Sequence, residues 1–452
     1  MSGIDHIELL EDPESLVHYG RDWTRFWSPD PEAVLFPKET AEVVEIVTWA
    51  RRTGRALVPS GGRTGLSGGA VAGNGEVVVS LEKMRSLLEF DPVDPSLTAQ
   101  AGIPVGELQR LAAENGLYYP VDWAAAESSQ LGGSIATNAG GIRVLRYGMT
   151  RRWVRGLTVV TGTGEVLELN GGLVKNNAGL DLRQLMIGSE GVLGLITEAT
   201  MALSEPPPEQ SVLLLGFSGL AAVMPAFAEL RAGLGLSAFE FFDQRSVAHV
   251  AAATGESFPL EDECPYYAVV EFDDPGQACQ EHALALFEKL AEAGQVSDGT
   301  VSQSGAQAGE LWRWRESISE SISPRTPYKN DLSVRISRVP DFLEALEALL
   351  ARHYPDFEVV WFGHIGDGNL HMNVLRPEGW SVAGFHAACR ELSPRVFELV
   401  RQFGGSISAE HGVGLLKRED LHYSRSPGEI DLMRRIKADF DPDGILNPGK
   451  VL

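Results

Sequence analysis

Between Trp361 and Asn373 the chain carries His364 and His371 on either side of Asp367-Gly368, and it later reads Ser408-Ala409-Glu410-His411-Gly412. Asp-Gly strongly favours a two-residue type I′ hairpin turn. With Asp367 and Gly368 as that turn, His364 faces His371 across the hairpin and Phe362 faces Asn373. Directly opposed residues share a face, their Cβ atoms about 4.5–5.5 Å apart, so two imidazoles can grip one metal ion. Asn373, two residues beyond His371, points the same way. An anionic third ligand that leaves positions open to substrate completes such a site, and Glu410 supplies one. Metal ligands are therefore expected at His364, His371 and Glu410. A divalent ion there acts as a Lewis acid; zinc heads the candidates, although histidine and carboxylate suit several such ions. His411, beside Glu410, is the expected catalytic base, since imidazole titrates near neutral pH. The same residue types also occur as ordinary partly buried side chains, and the hairpin by itself does not separate the two readings.

Glycine marks a second kind of chemistry. The strand-like Ala56-Leu57-Val58-Pro59 runs into Ser60-Gly61-Gly62-Arg63-Thr64-Gly65-Leu66-Ser67-Gly68-Gly69. Glycines at that density let successive backbone N–H groups turn inward as a nest for a phosphate or pyrophosphate. The loop lacks the Gly-Lys-Ser/Thr of a P-loop hydrolase, and its spacing is not that of a GxGxxG fingerprint opening a helix. Leu131-Gly132-Gly133-Ser134-Ile135-Ala136-Thr137-Asn138-Ala139-Gly140-Gly141 is a second block, and the apolar run from Leu185 to Thr197, with Gly188, Gly191 and Gly194, is a third. Small residues let a flat ligand approach the backbone closely. Three such blocks with few bulky polar groups imply a long, flat, buried cofactor.

The composition permits this. The 452 residues are 44% hydrophobic and 22% charged, enough for a large core and for two or three domains. A formal charge of −24 repels nucleic-acid phosphates and anionic lipid surfaces over most of the molecule. The cysteines Cys264, Cys279 and Cys389 are scattered, with no CxxC and no iron–sulfur spacing. The acidic start of the chain resembles no signal peptide and no stretch reaches a membrane span, so a cytoplasmic protein is expected.

The elements that must position these groups alternate strand and helix. Val34–Phe36 reads as a strand, followed by an amphipathic helix with Thr40 as its expected cap and Gly54 as its end. Leu157–Val160 and Val166–Leu169 form a hairpin pattern around Gly162 and Gly164. Ser204-Glu205-Pro206-Pro207-Pro208-Glu209 is a stiff linker. Beyond it, Val212–Phe217, a helix from Leu220, Tyr266–Phe272 and a helix around Leu284–Ala293 describe an antiparallel sheet covered by helices. Leu311–Glu320 reads as a helix that ends near Pro324, with Arg315 and Ser319 four apart on one face and Lys329 on the strand that follows.

Six of these features occur together: the Pro59–Ala70 loop, Gly132–Gly141, Gly188–Ile196, the Gly363–Asn373 hairpin, Glu410-His411-Gly412 and the closing Asn447-Pro448-Gly449-Lys450. In that order they resemble the FAD-linked dehydrogenases of the vanillyl-alcohol-oxidase fold, which include D-lactate, glycolate and D-2-hydroxyglutarate dehydrogenases. The resemblance runs from about Ala33 to Leu452. It implies an α+β protein: a PCMH-type FAD-binding domain over residues 1–205, a cap or substrate domain over 206–403 carrying the hairpin, and a segment over 404–452 completing the site. Pro59, Ser60, Gly61, Gly62, Arg63, Thr64, Gly65, Leu66 and Ser67 would hold the FAD pyrophosphate. Gly132, Gly133, Ser134, Asn138, Gly140 and Gly141 would line the flavin with Glu190, Gly191, Gly194 and Ile196, and Asn447 would join them. Covalent members carry a flavin-linked histidine in or near the first loop; with none there, non-covalent FAD is expected. Arg315, Ser319 and Lys329 match residues that bind substrate carboxylates, and Asn373 would orient the carboxylate beside the metal. Ser319 stands where threonine is usual and Arg335 where proline is usual.

The implied reaction is metal-assisted oxidation of a D-2-hydroxy acid, D-2-hydroxyglutarate ahead of D-lactate or glycolate, with a separate electron acceptor such as an electron-transfer flavoprotein or a quinone-linked carrier. Two other classes compete. A metal-dependent hydrolase would use the same His-His-Glu set on water, and a non-catalytic flavin subunit would keep the glycine blocks alone. The oligomeric state, a homodimer included, is left open.

Overall fold

A computed structural model describes residues 3–24 and 26–452. The chain divides into two units: one of Met1–Gly141, Gly148–Pro206 and Glu410–Leu452, the other of Ile142–Tyr147 and Pro207–Ala409. The change of unit between Pro206 and Pro207 falls inside the proline-rich stretch, where two fixed φ angles stiffen the chain. Of the expected closing segment, Glu410–Leu452 folds with the first unit and residues 404–409 with the second, as do the six residues Ile142–Tyr147 that follow the second glycine block.

The first unit contains two sheets. Strands β1 (Glu8–Leu10), β2 (Ala33–Phe36), β3 (Leu57–Ser60) and β4 (Val77–Ser80) lie in the order β1-β2-β4-β3, with β2, β4 and β3 parallel. Every residue of β2 and β4 is buried, as continuous apolar runs in a parallel sheet require. The helix Thr40–Thr53 buries Val43, Ile46, Val47, Trp49 and Ala50 along one stripe, and Gly54 ends it in the left-handed conformation. Its cap is Glu39 rather than the expected Thr40: the Thr40 hydroxyl is occupied with Thr197 Oγ1 at 3.0 Å. The second sheet, β5 (Leu87–Asp91), β6 (Ser96–Gln100), β7 (Val154–Thr161), β8 (Val166–Leu169) and β9 (Gly194–Ala202), is antiparallel in the order β5-β6-β9-β7-β8. It includes the expected β7–β8 hairpin, with Val160 paired to Val166.

The second unit is built on seven antiparallel strands: β10 (Gln210–Phe217), β11 (Leu236–Asp243), β12 (Tyr266–Asp273), β13 (Asp298–Val301), β14 (Tyr328–Ser333), β15 (Val359–Gly363) and β16 (Asn369–Val374). Their order is β13-β10-β12-β11-β15-β16-β14. One face packs Val212, Leu214, Phe242, Val269, Val360 and Phe362 against helices Gln244–Thr254 and Gly305–Glu316. On the other, Phe239 meets Phe227 of helix Leu220–Gly233, ring centroids 5.0 Å apart. Among the described residues no helix is long and apolar enough to cross a membrane.

Candidate functional site

The three glycine blocks converge within the first unit. The first loop leaves the carboxyl end of β3, the end of a parallel strand at which ligands commonly bind. A Cβ on Gly62 would stand 1.9 Å from the Ser128 carbonyl oxygen, so only glycine fits there. Thr64 Oγ1 and Ser129 Oγ lie 2.9 Å apart, and Ser129 Oγ also accepts from Trp123 Nε1 at 3.0 Å. Arg63 is left-handed at φ 58°, and its guanidinium donates to the Gly61 carbonyl at 3.3 Å, lies 4.5 Å from the Tyr19 ring and stands 3.0 Å from His18 Nε2.

Leu131–Thr137 forms a short helix. Gly132 lies so near Ala101 that a Cβ would be 2.8 Å from its methyl, whereas a Cβ on Gly133 would meet nothing within 4 Å. The side chains of this block are engaged by the chain itself: Ser134 Oγ donates to the Leu131 carbonyl at 2.8 Å, and Asn138 Oδ1 accepts from Arg151 N–H at 2.9 Å. The third block is tied to the other two. Gly188 and Glu190 donate their N–H groups to the carbonyls of Ile135 and Ala136, and Gly191 packs against the ring of Pro59. Gly194 begins β9, where a Cβ would be 2.4 Å from Val159 Cγ1, and Ile196 is buried on the same strand.

Glu190 carries the segment after His411. Its carboxylate accepts from the N–H groups of Val413 and Gly414 at 2.7 and 2.8 Å, and burial pushes its pKa up to about 7 against the pull of those donors. This carboxylate, expected at the flavin, is thus occupied by backbone of the closing segment, to which Glu410, His411 and Asn447 belong. Gly140 and Gly141 close the second block; at Gly141 a Cβ would meet the Asp122 carbonyl at 1.9 Å.

In the second unit the hairpin forms with a register different from the one expected. Phe362, not His364, stands opposite His371, and Val360, not Phe362, stands opposite Asn373. The connection runs from His364 to Gly368: Gly368 has φ 91°, but Asp367 lacks the positive φ of a type I′ turn. Asp367 instead accepts the Asn369 N–H on its side chain at 3.2 Å, closing a longer loop. The imidazoles still meet, ring centroids 5.2 Å apart and planes crossed at 85°. Asn373 is 1% exposed and donates to the His371 carbonyl at 3.2 Å.

Two carboxylates that the hairpin sequence does not announce stand behind these rings. Glu240 on β11, 1% exposed, meets His364 Nδ1 at 2.7 Å and the Arg315 guanidinium at 2.9 Å. Asp331 on β14 pairs across the ladder with His371, its carboxylate 3.8 Å from Nδ1, and accepts from Asn369 Nδ2 at 2.8 Å. The backbone of Asp331 also bridges Ser408, two residues before Glu410.

Arg315 lies in the last turn of the helix Gly305–Glu316, which stops short of the expected end near Pro324, and Ser319 sits in a separate short helix, Ile318–Ser321. The Arg315 side chain is 8% exposed and lies 4.8 Å over the Phe362 ring. Ser319 meets Lys329 instead, Nζ donating to Oγ at 3.0 Å. Lys329 is solvent-exposed at its strand edge, yet the surrounding protein mass pushes its pKa down. A cation already partly stripped of water is well suited to an anionic ligand.

Comparison with known proteins agrees with this architecture. Residues 31–170 match the family described as FAD binding domain, and residues 206–451, over half of the chain, match FAD linked oxidases, C-terminal domain. A D-2-hydroxyglutarate dehydrogenase of Xanthomonas citri pv. viticola is 55% identical over 445 residues, covering 98% of this chain and 94% of its own. Another, from Stutzerimonas stutzeri, is 52% identical over 444 residues, covering 98% and 96%. The solved structure of 4-ethylphenol oxidase from Gulosibacter chungangensis shares the fold, with TM-score 0.72 at 19% identity over 98% of this chain and 94% of that one. With a PCMH-type FAD-binding domain joined to that C-terminal domain, the chain belongs to the FAD-linked oxidase family.

Proposed function

We propose that this chain oxidises D-2-hydroxyglutarate to 2-oxoglutarate with non-covalent FAD and a divalent metal, zinc first among the candidates. The observation that carries the reading is the 55% and 52% identity, over 98% of the chain, to two D-2-hydroxyglutarate dehydrogenases. The first unit fits the cofactor. Around the glycine blocks, among the described residues, the buried Ser60 Oγ, Gln130 Oε1 and Asn447 Oδ1 find no hydrogen-bond partner, and Gly133 opens onto free space. The first loop contains no histidine for a covalent link, and His18 beside it is engaged by Arg63.

The donor set His364, His371 and Glu410 fits a divalent ion with positions left for substrate. Bound FAD would supply the hydride acceptor for the substrate's C2–H, and a divalent ion held by His364, His371 and Glu410 would supply a Lewis acid for the neighbouring hydroxyl. His411 takes the hydroxyl proton. Asn373 gives one amide hydrogen to the His371 carbonyl and keeps the other, held only at 3.5 Å by Val360, for the C1 carboxylate. Lys329 with Ser319 holds the distal carboxylate, while Arg315 is paired with Glu240. The electron acceptor of this reading would be a separate carrier, an electron-transfer flavoprotein or a quinone-linked protein.

Steady-state reduction of an artificial dye, with a panel of D- and L-2-hydroxy acids, tests the reading. The highest kcat/KM is expected for D-2-hydroxyglutarate, on a yellow protein whose flavin is released by acid. A preference for D-lactate or for an L-isomer would overturn the substrate, and a colourless protein would overturn the flavin.

A further inference from the structure

We infer that Glu240 is a positioning residue that sets two parts of the site at once, the metal-facing nitrogen of His364 and the guanidinium of Arg315. The inference rests on the proposed metal site. Glu240 lies on β11, adjacent to the strand that leads into the hairpin, in the apolar run Phe239-Glu240-Phe241-Phe242, and is 1% exposed. A charge buried so completely needs partners: Oε1 is hydrogen-bonded to His364 Nδ1 at 2.7 Å, and Oε2, which makes no hydrogen bond among the described residues, is ion-paired with the Arg315 guanidinium at 2.9 Å.

An ionised carboxylate only accepts hydrogen bonds. Nδ1 of His364 must therefore carry the proton, which leaves the lone pair of the neutral ring on Nε2. That is the form in which imidazole ligates a metal, and a carboxylate behind the ring fixes both its tautomer and its orientation. The other oxygen neutralises Arg315, whose Nε has no partner among the described residues and whose face rests on Phe362. Without that oxygen a buried cation would stand close to His364 and oppose a second cation nearby. Because one carboxylate holds both groups, a shift of Arg315 is felt at His364.

The test uses Glu240→Gln in the flavin-loaded enzyme, with thermal unfolding and flavin content as controls for folding. Zinc titration after chelation should show affinity weakened by roughly ten- to a hundredfold, the range usual for loss of such a supporting group. Glu240→Asp should restore part of it. In parallel, histidine-15N spectra of the metal-free protein, assigned with His364→Asn, should show His364 as the Nδ1–H tautomer in the wild type and lose that preference in Glu240→Gln. Unchanged zinc affinity in a folded, flavin-replete Glu240→Gln would overturn the inference, as would a wild-type His364 protonated on Nε2. A wild type that binds no zinc yet has the Nδ1–H tautomer that Glu240→Gln abolishes would defeat the metal reading alone and leave the role of Glu240 standing.

Discussion

Asn447 donates one side-chain hydrogen to the backbone carbonyl of Glu190 at 2.8 Å and the other to the carbonyl of Gly69 at 3.0 Å. It is 1% exposed and left-handed at φ 43°, a conformation asparagine tolerates better than most residues. One residue near the end of the chain thereby joins the first glycine loop to the third. Asn447→Ala leaves two buried carbonyls without donors, at about 1–3 kcal/mol each. The expected outcome is a clear fall in Tm together with loss of FAD on gel filtration. Asn447→Asp, which keeps the backbone preference but cannot donate, should behave similarly; a flavin-replete Asn447→Asp of wild-type stability would remove the clamp from the account.

Glu190 makes stability depend on pH in an uncommon direction. Burial raises its pKa from the ordinary 4.5 to about 7. Between those values the folded protein holds a proton that the unfolded chain has released, so this residue's contribution to stability falls as pH rises through the window. Glu190→Gln imitates the protonated acid and removes the titration. The difference in Tm between Glu190→Gln and wild type should therefore move in favour of the variant from about pH 5 to about pH 7. Parallel Tm–pH curves for the two proteins would contradict it.

The glycine blocks were legible because the constraint is local: at Gly62 the backbone of Ser128 comes so close that no side chain fits, and the sequence records this as glycine. The partner of that loop was not legible, since Thr64 and Ser129 are 65 residues apart and neither is unusual in its own surroundings. The hairpin illustrates an intermediate case. Asp367-Gly368 marked the turn, but two-residue and longer loops share those residue types, and the side-chain cap that Asp367 places on Asn369 decided the register. His364 and His371 came together nonetheless, because the register differs by two residues and a shift of two leaves each side chain on its own face. Glu240 is 124 residues upstream of His364, and its sole signal was a charge amid phenylalanines on a strand. The family resemblance reached the fold and the FAD domain; it did not disclose that Arg315 is paired with a buried acid.

Replacing His371 by Ala should remove the metal and most turnover while leaving the flavin bound. His371 lies in the second unit, on β16, and the glycine blocks that fit FAD lie in the first, so the two functions are expected to fail separately. Metal analysis and the flavin absorbance of one purified sample decide it. Full metal occupancy in His371→Ala would exclude His371 as a ligand.

The two cations near the substrate should respond differently, because their surroundings differ. Lys329 is exposed, partly desolvated and, among the described residues, bonded through Nζ to the neutral Ser319 hydroxyl alone, so its charge is available to an incoming carboxylate. Arg315 is 8% exposed and already neutralised by Glu240. A charged hydrogen bond contributes about 1.5–3 kcal/mol, which corresponds to roughly ten- to a hundredfold in kcat/KM. Lys329→Met should therefore lose roughly that factor on D-2-hydroxyglutarate and little on D-lactate, which has no distal carboxylate. Arg315→Ala should depress both substrates, since it frees Glu240 and disturbs His364 whatever the substrate carries at its far end. Comparing the four kcat/KM ratios separates the roles. A selective loss of the dicarboxylate in Arg315→Ala, with Lys329→Met close to wild type, would reverse the assignment and make Arg315 the distal-carboxylate residue.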